Sequence, residues 1–365
     1  MLPASAIASI GAAFLLMGLA VSAYGPLLEH LTHRFGVSLP VAGSTISVHF
    51  AGALPGVFVA MWALRRVRAR VIVMVASAVV SAGLAAVAVA FTWSVFLGAV
   101  FVVGLGFGAL VVTLNQLVAF SSGGRRAALL NALNAAYSAG AVIGPLLVVG
   151  LASNNFSLLY LGGALVWLAL IPGALGIGGR LPVEAGAPRR PGALVWIFIC
   201  AFVLYVAIET GTAGWMTSHL ESLGLPSAEA GTLNSAFFLA LVAGRLLITA
   251  VPPSVAESTV VLAAAGATTV ALLAAALGIA MPWAYVAAGL VMAPIFPTGV
   301  VWLARLRPTD STATAWLFPA TSVGGVVGPA AIGIVIASAG VRWTPTVLAL
   351  LAAAMSAAFV AASRR

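Results

Sequence analysis

The sequence predicts an all-α integral membrane protein, with twelve transmembrane helices arranged as two pseudo-symmetric halves of six. Three observations carry this reading. Apolar residues make up 63% of the 365 and charged residues only 6%, with a mean hydropathy of +1.19, whereas a soluble domain is about one-quarter charged. Cutting at Arg clusters and Pro/Gly turns leaves twelve apolar runs, each near the roughly twenty residues needed to cross the hydrocarbon core. Finally, Ser138-Ala139-Gly140-Ala141-Val142-Ile143-Gly144-Pro145 occurs again as Ser322-Val323-Gly324-Gly325-Val326-Val327-Gly328-Pro329, at an offset of 184 residues (322 minus 138), close to half the chain. Gly-x-x-x-Gly is frequent in membrane helices; its matched position in two halves sets this pair apart.

In chain order the spans are expected at 4–28, 41–64, 71–91, 94–118, 127–151, 157–177, 194–219, 227–250, 258–279, 283–304, 312–339 and 344–362. Spans five and eleven carry the repeated motif. Gly140 and Gly144 share one helical face, as do Gly324 and Gly328, and admit a neighbouring backbone, while Pro145 and Pro329 each remove a hydrogen bond. The longest connection, between spans six and seven, is rich in Pro and Arg and divides the chain into a half at 1–177, a linker at 178–193 and a half at 194–365. All sixteen basic residues are Arg, and under this layout only Arg34 and Arg342 fall on one side. Positive charge collects in cytoplasmic loops, so both termini are expected in the cytoplasm. The same distribution makes the net charge of +9 a matter of topology, with no nucleic-acid partner expected. Abundant Ala, Gly and Val without Lys suggests a GC-rich bacterial source, hence a bacterial inner membrane. The single Cys200 excludes an intrachain disulfide framework.

Tyr205-Val206-Ala207-Ile208-Glu209-Thr210-Gly211-Thr212-Ala213-Gly214-Trp215 in span seven resembles the Tyr-Val-Gly-x-Glu-x-x-x-Gly-Gly-Trp signature of the fucose and glucose cation-symporter branch of the major facilitator superfamily, the branch that includes sodium-dependent glucose transporter-like proteins. Leu130-Asn131-Ala132-Leu133-Asn134 with Gly140 and Gly144-Pro145 is similar to that branch's span five, and Met292-Ala293-Pro294-Ile295-Phe296-Pro297-Thr298 to its span ten. The resemblance covers the whole chain and implies alternating access by rocking of two halves. One departure is clear. Leu64 stands where the superfamily's loop between spans two and three usually carries Asp, while Arg65, Arg68 and Arg70 keep the basic pattern.

Of the seven acids only Glu209 lies well inside a predicted span. A rise of 1.5 Å per residue puts it about 22 Å along span seven, within a core of about 30 Å. An ionisable group there is a coupling-site candidate, either as a proton carrier or as a Na⁺ ligand; the alternative is a protonated acid that fixes helix packing. A sugar pocket combines hydrogen-bonding groups with aromatic faces. Asn134, Tyr137, Tyr205, Thr212, Trp215, Asn234, Trp302 and Trp316 are the candidates to build one. Asn115 and Asn131 read as helix-to-helix contacts or gate residues, and Arg245 as a gate or snorkelling residue. His49 reads as a packed imidazole, and Glu29, His30 and His33 as a solvated helix end rather than a metal site.

No phosphate loop, dinucleotide fingerprint or zinc spacing occurs, so an enzyme is not expected. The expected function is a symporter moving a small polar solute, a sugar first, coupled to H⁺ or Na⁺ and without other cofactors. The protein is expected to act as a monomer with the lipid bilayer as its surroundings. The alternatives are an exporter of amphipathic compounds and a transporter-like receptor.

Overall fold

A computed structural model describes residues 4–121, 126–177, 191–248, 252, 254–307 and 313–365. It is helical throughout these segments. The helices are α1 (Ala4–Ser22), α2 (Tyr24–Phe35), α3 (Leu39–Leu64), α4 (Ala69–Ala88), α5 (Trp93–Ser121), α6 (Arg126–Leu147) and α7 (Ser153–Leu170), followed by α8 (Ala193–Ser222), α9 (Ser227–Leu247), α10 (Glu257–Ala276), α11 (Trp283–Met292), α12 (Ile295–Leu306), α13 (Leu317–Ala339) and α14 (Thr344–Ser363). Among the described residues twelve segments are long and apolar enough to cross a membrane. The linker at 178–193 lies almost wholly outside the described residues.

Proline explains where the helices depart from simple spans. The run expected at 4–28 is two helices, α1 and α2, that part at Ala23. Pro26 has no N–H to give the Ser22 carbonyl. Gly36, with φ of 64°, then closes α2 in a left-handed cap that a residue without Cβ adopts freely. Span ten is likewise split into α11 and α12 at Ala293-Pro294, because Pro294 and Pro297 withdraw the donors that would serve Leu290 and Ala293. In span five the α-helix ends two residues after Pro145 and continues as a π-helical turn over Val148–Ala152.

The chain forms two compact units, one of residues 1–37 and 48–186 and the other of residues 38–47 and 187–365. Residues 38–47, the first turns of α3, thus group with the second unit. In the first unit α1 crosses α6, and α4 packs against both α5 and α7. Backbone meets backbone at the first of these crossings. A Cβ at Gly18 would overlap the carbonyl of Tyr137, and one at Gly140 the carbonyl of Leu15. In the second unit α8 packs against α13 and α14, and α9 against α11. Here a Cβ at Gly324 would overlap the carbonyl of Val203, and one at Gly328 the backbone of Ala207. The repeated motif therefore performs the same task twice, seating span five on span one and span eleven on span seven. Both crossings are internal to a single unit.

Candidate functional site

Glu209 lies near the middle of α8, and Arg245 near the end of α9. Their side chains meet, with Arg245 Nη2 3.8 Å from Glu209 Oε1. The two antiparallel helices explain how. Glu209 is 13 residues before the end of α8 (222 minus 209), and Arg245 is 18 after the start of α9 (245 minus 227). At 1.5 Å per residue these are about 20 and 27 Å from the shared turn. The guanidinium closes the difference by reaching back along the bundle toward the acid. This corrects the snorkelling reading, in which Arg245 would point away from the core. The cation is placed by Gly244, whose missing side chain lets α9 rest on the Leu290 carbonyl beside the α11–α12 break.

The pair is half-buried, with 28% of the Arg245 side chain and 21% of that of Glu209 exposed. At 3.8 Å the contact is an ion pair beyond hydrogen-bond distance. Tyr205, one turn before Glu209, is buried with its ring centroid 6.1 Å from that of Phe296 at the start of α12. Its hydroxyl lies beside both charges and within reach of each, although outside strict hydrogen-bond geometry. Thr212, three residues after Glu209, is fully buried and its hydroxyl also has no partner. Buried polar groups are nearly always satisfied, so the Thr212 hydroxyl, on the same face of α8 as Tyr205 and Glu209 by helical spacing, has capacity for a further hydrogen bond. The structure therefore brings together Tyr205, Glu209 and Arg245, with Thr212 about one turn on along the same face of α8.

The other expected solute contacts of the second unit lie apart from this cluster. Asn234 donates to the Ala213 carbonyl at 2.7 Å and to Thr217 Oγ1 at 3.1 Å, tying α9 to α8, and only its Oδ1 has no partner. Trp215 was expected as a stacking platform, but its indole is fully buried. Its N–H donates to the Pro329 carbonyl at 3.2 Å, and its ring covers Gly43 and Gly333. No face of the ring remains for a solute. Trp302 is a packing residue for the same reason, buried against Phe198 and Phe359 at ring separations of 5.0 and 6.2 Å. Trp316 is half-buried in the 3₁₀ turn ahead of α13.

In the first unit Asn134 is exposed on α6 and Tyr137 is half-buried one turn on. Asn115 donates to the Val111 carbonyl of its own helix at 2.8 Å; the side chain of Asn131 lies outside the described residues. His49 is fully buried, with Nδ1 2.9 Å from the Tyr24 hydroxyl and Phe107 edge-on at 4.9 Å. In α2, His30 stacks on Phe156 at 5.3 Å, and the Arg34 guanidinium sits 4.5 Å from the centroid of the same ring. Burial, then Arg34 and His33, hold the His30 imidazole below its ordinary pKa. His33 instead lies in solvent beside Glu29, so the two imidazoles are committed to different neighbours.

Sequence reasoning missed a second buried pair in the second unit, His219 Nδ1 at 3.0 Å from the Tyr285 hydroxyl. Only the presence of a His late in span seven could have signalled it.

A family profile described as Major Facilitator Superfamily matches residues 10–252 of the chain. No curated protein sequence matches. Among solved structures, a bacterial homologue of the human lysosomal transporter Spinster superposes with a TM-score of 0.76 at 15% identity, over 98% of this chain and 96% of that one. The nucleoside transporter NupG gives 0.76 at 13% identity over 99% of each chain. A variant of the peptide transporter POT gives 0.74 at 14% identity over 98% of this chain and 95% of the other. At these identities the likeness is one of fold.

Proposed function

The chain belongs to the major facilitator superfamily, and on that premise we propose that it is a secondary active transporter that couples a small polar solute to an ion through Glu209. The observation that carries this reading is the half-buried Glu209–Arg245 pair with the Tyr205 hydroxyl beside it. An ion pair inside a membrane helix bundle persists only where its partners compensate each other. Whatever neutralises Glu209 therefore frees Arg245 to bind an oxygen of the solute, and this links the two events. H⁺ suits the geometry better than Na⁺, because a guanidinium 3.8 Å from the carboxylate repels a metal cation approaching the same oxygens.

A sugar remains the first solute class, on the strength of the span-seven resemblance and the hydroxyl-rich surroundings of Glu209. Arg245 favours a second class, solutes bearing a carboxylate or phosphate, which a guanidinium recognises directly. The related folds, named as nucleoside and peptide transporters, widen the set worth testing. The proposed setting is a bacterial inner membrane with both termini cytoplasmic.

Thermal shift of the purified protein discriminates these classes. A ligand at a hundred times its Kd stabilises by about 2.7 kcal/mol. Sugars and polyols are expected to raise Tm more at low pH than at high pH and to be indifferent to Na⁺. A shift with sugar acids or dipeptides alone would move the solute to the second class, and one with nucleosides alone would replace both classes. A shift with amphipathic drugs alone would replace symport by export.

A further inference from the structure

The end of α3 presents a feature apart from the Glu209–Arg245 pair. Phe58, Val59 and Trp62 recur at helical spacing along one face of α3, and Arg65 and Arg66 follow in the turn just past its end at Leu64. The first three are 50%, 57% and 59% exposed although large and apolar. Past the end of the helix the chain becomes cationic. Met61, Trp62, Arg65 and Arg66 line an open cleft of about 560 Å³, and the Arg66 guanidinium lies 4.2 Å from the Trp62 ring centroid. Arg68 and Arg70 follow at the start of α4. Among the described residues no carboxylate lies within ion-pair distance of these four arginines.

We propose that this cleft binds an anionic phospholipid, with its acyl chains along Phe58, Val59 and Trp62 and its phosphate between Arg65 and Arg66. The order of chemistry along α3 matches that of the lipid: hydrocarbon, then an aromatic ring at interface level, then anion. Tryptophan and arginine are the residues that suit the last two layers. Arginine also offers a phosphate two parallel hydrogen bonds, where lysine offers a point charge. A soluble phosphate would use only the cationic end, whereas a phospholipid uses the cationic end and the apolar stripe together.

Delipidated full-length protein is titrated with phosphatidylglycerol or with phosphatidylcholine of the same acyl chains, and bound lipid is counted by native mass spectrometry. At about 1 kcal/mol per arginine near the headgroup, phosphatidylglycerol is expected to bind at least tenfold more tightly than phosphatidylcholine. Arg65→Gln with Arg66→Gln should abolish that preference, Trp62→Ala should weaken retention of both lipids, and excess inorganic phosphate should not compete. The control Arg364→Gln with Arg365→Gln removes the same charge at the exposed C-terminus and should leave the preference intact. Equal binding of both lipids by the wild type, an unchanged preference in the Arg65/Arg66 variant, or equal loss in the control would each overturn the proposal.

Discussion

Gly140→Leu and Gly328→Leu are each expected to leave little folded protein after extraction from the membrane. A side chain at Gly140 meets the Leu15 carbonyl, and one at Gly328 meets the backbone of Ala207. Neither neighbour is a flexible side-chain tip, so the helices themselves must separate. Overpacking a core costs about 1–3 kcal/mol where side chains can yield. Here the obstacle is backbone, so the loss should exceed that range and consume much of a typical total stability of about 5–15 kcal/mol. Gly98→Leu and Gly266→Leu are the matched controls, because nothing lies within 4 Å of a Cβ at either position. Detergent-solubilised variants are compared by thermal unfolding and gel filtration. Wild-type behaviour of both motif variants would show that the repeated glycines tolerate bulk and do not hold span five on span one or span eleven on span seven.

The second large effect concerns the charge pair. Arg245→Gln leaves the Glu209 carboxylate half-buried without its cation, a change that costs about 3–5 kcal/mol in a fully buried pair and less here, where a quarter of the site is open. Glu209→Gln removes the acid that faces the Arg245 guanidinium. If the two sites are coupled as the 3.8 Å separation implies, the double variant should be more stable than the sum of the single losses, by about 0.5–3 kcal/mol. Additive losses, measured by denaturation at neutral pH, would mean that the pair contributes nothing to the folded state.

Much of this architecture was legible in the sequence, for a physical reason. A membrane span must satisfy its own backbone and present apolar side chains over a fixed thickness, so twelve spans declare themselves by composition. The interruptions at Pro26 and Pro294 were visible as residues, but their effect depends on which carbonyl goes unserved, and the runs were read straight through them. The repeated Gly-x-x-x-Gly was equally plain. Its partners, α1 and α8, were not, because which helix approaches a glycine is decided by tertiary packing.

The site shows the same division. Glu209 stood out as an acid within an apolar run, whereas Arg245 was read from its position near a span end. Counting both residues from the turn between α8 and α9 would have put them within reach of each other. Trp215 and Trp302 illustrate the converse. An indole that stacks on a sugar and one that fills a helix crossing are the same residue in sequence, and the bond to Pro329 and the contact with Gly43 appear only once the chain is folded.

The most direct test of coupling through Glu209 compares two assays on one variant in proteoliposomes, once the solute is identified. Glu209→Gln mimics the neutral acid. Solute counterflow, which needs only binding and alternating access, should survive in this variant, while uphill accumulation driven by a pH gradient should vanish. Retention of wild-type accumulation by Glu209→Gln, with its pH and Na⁺ dependence unchanged, would contradict the account.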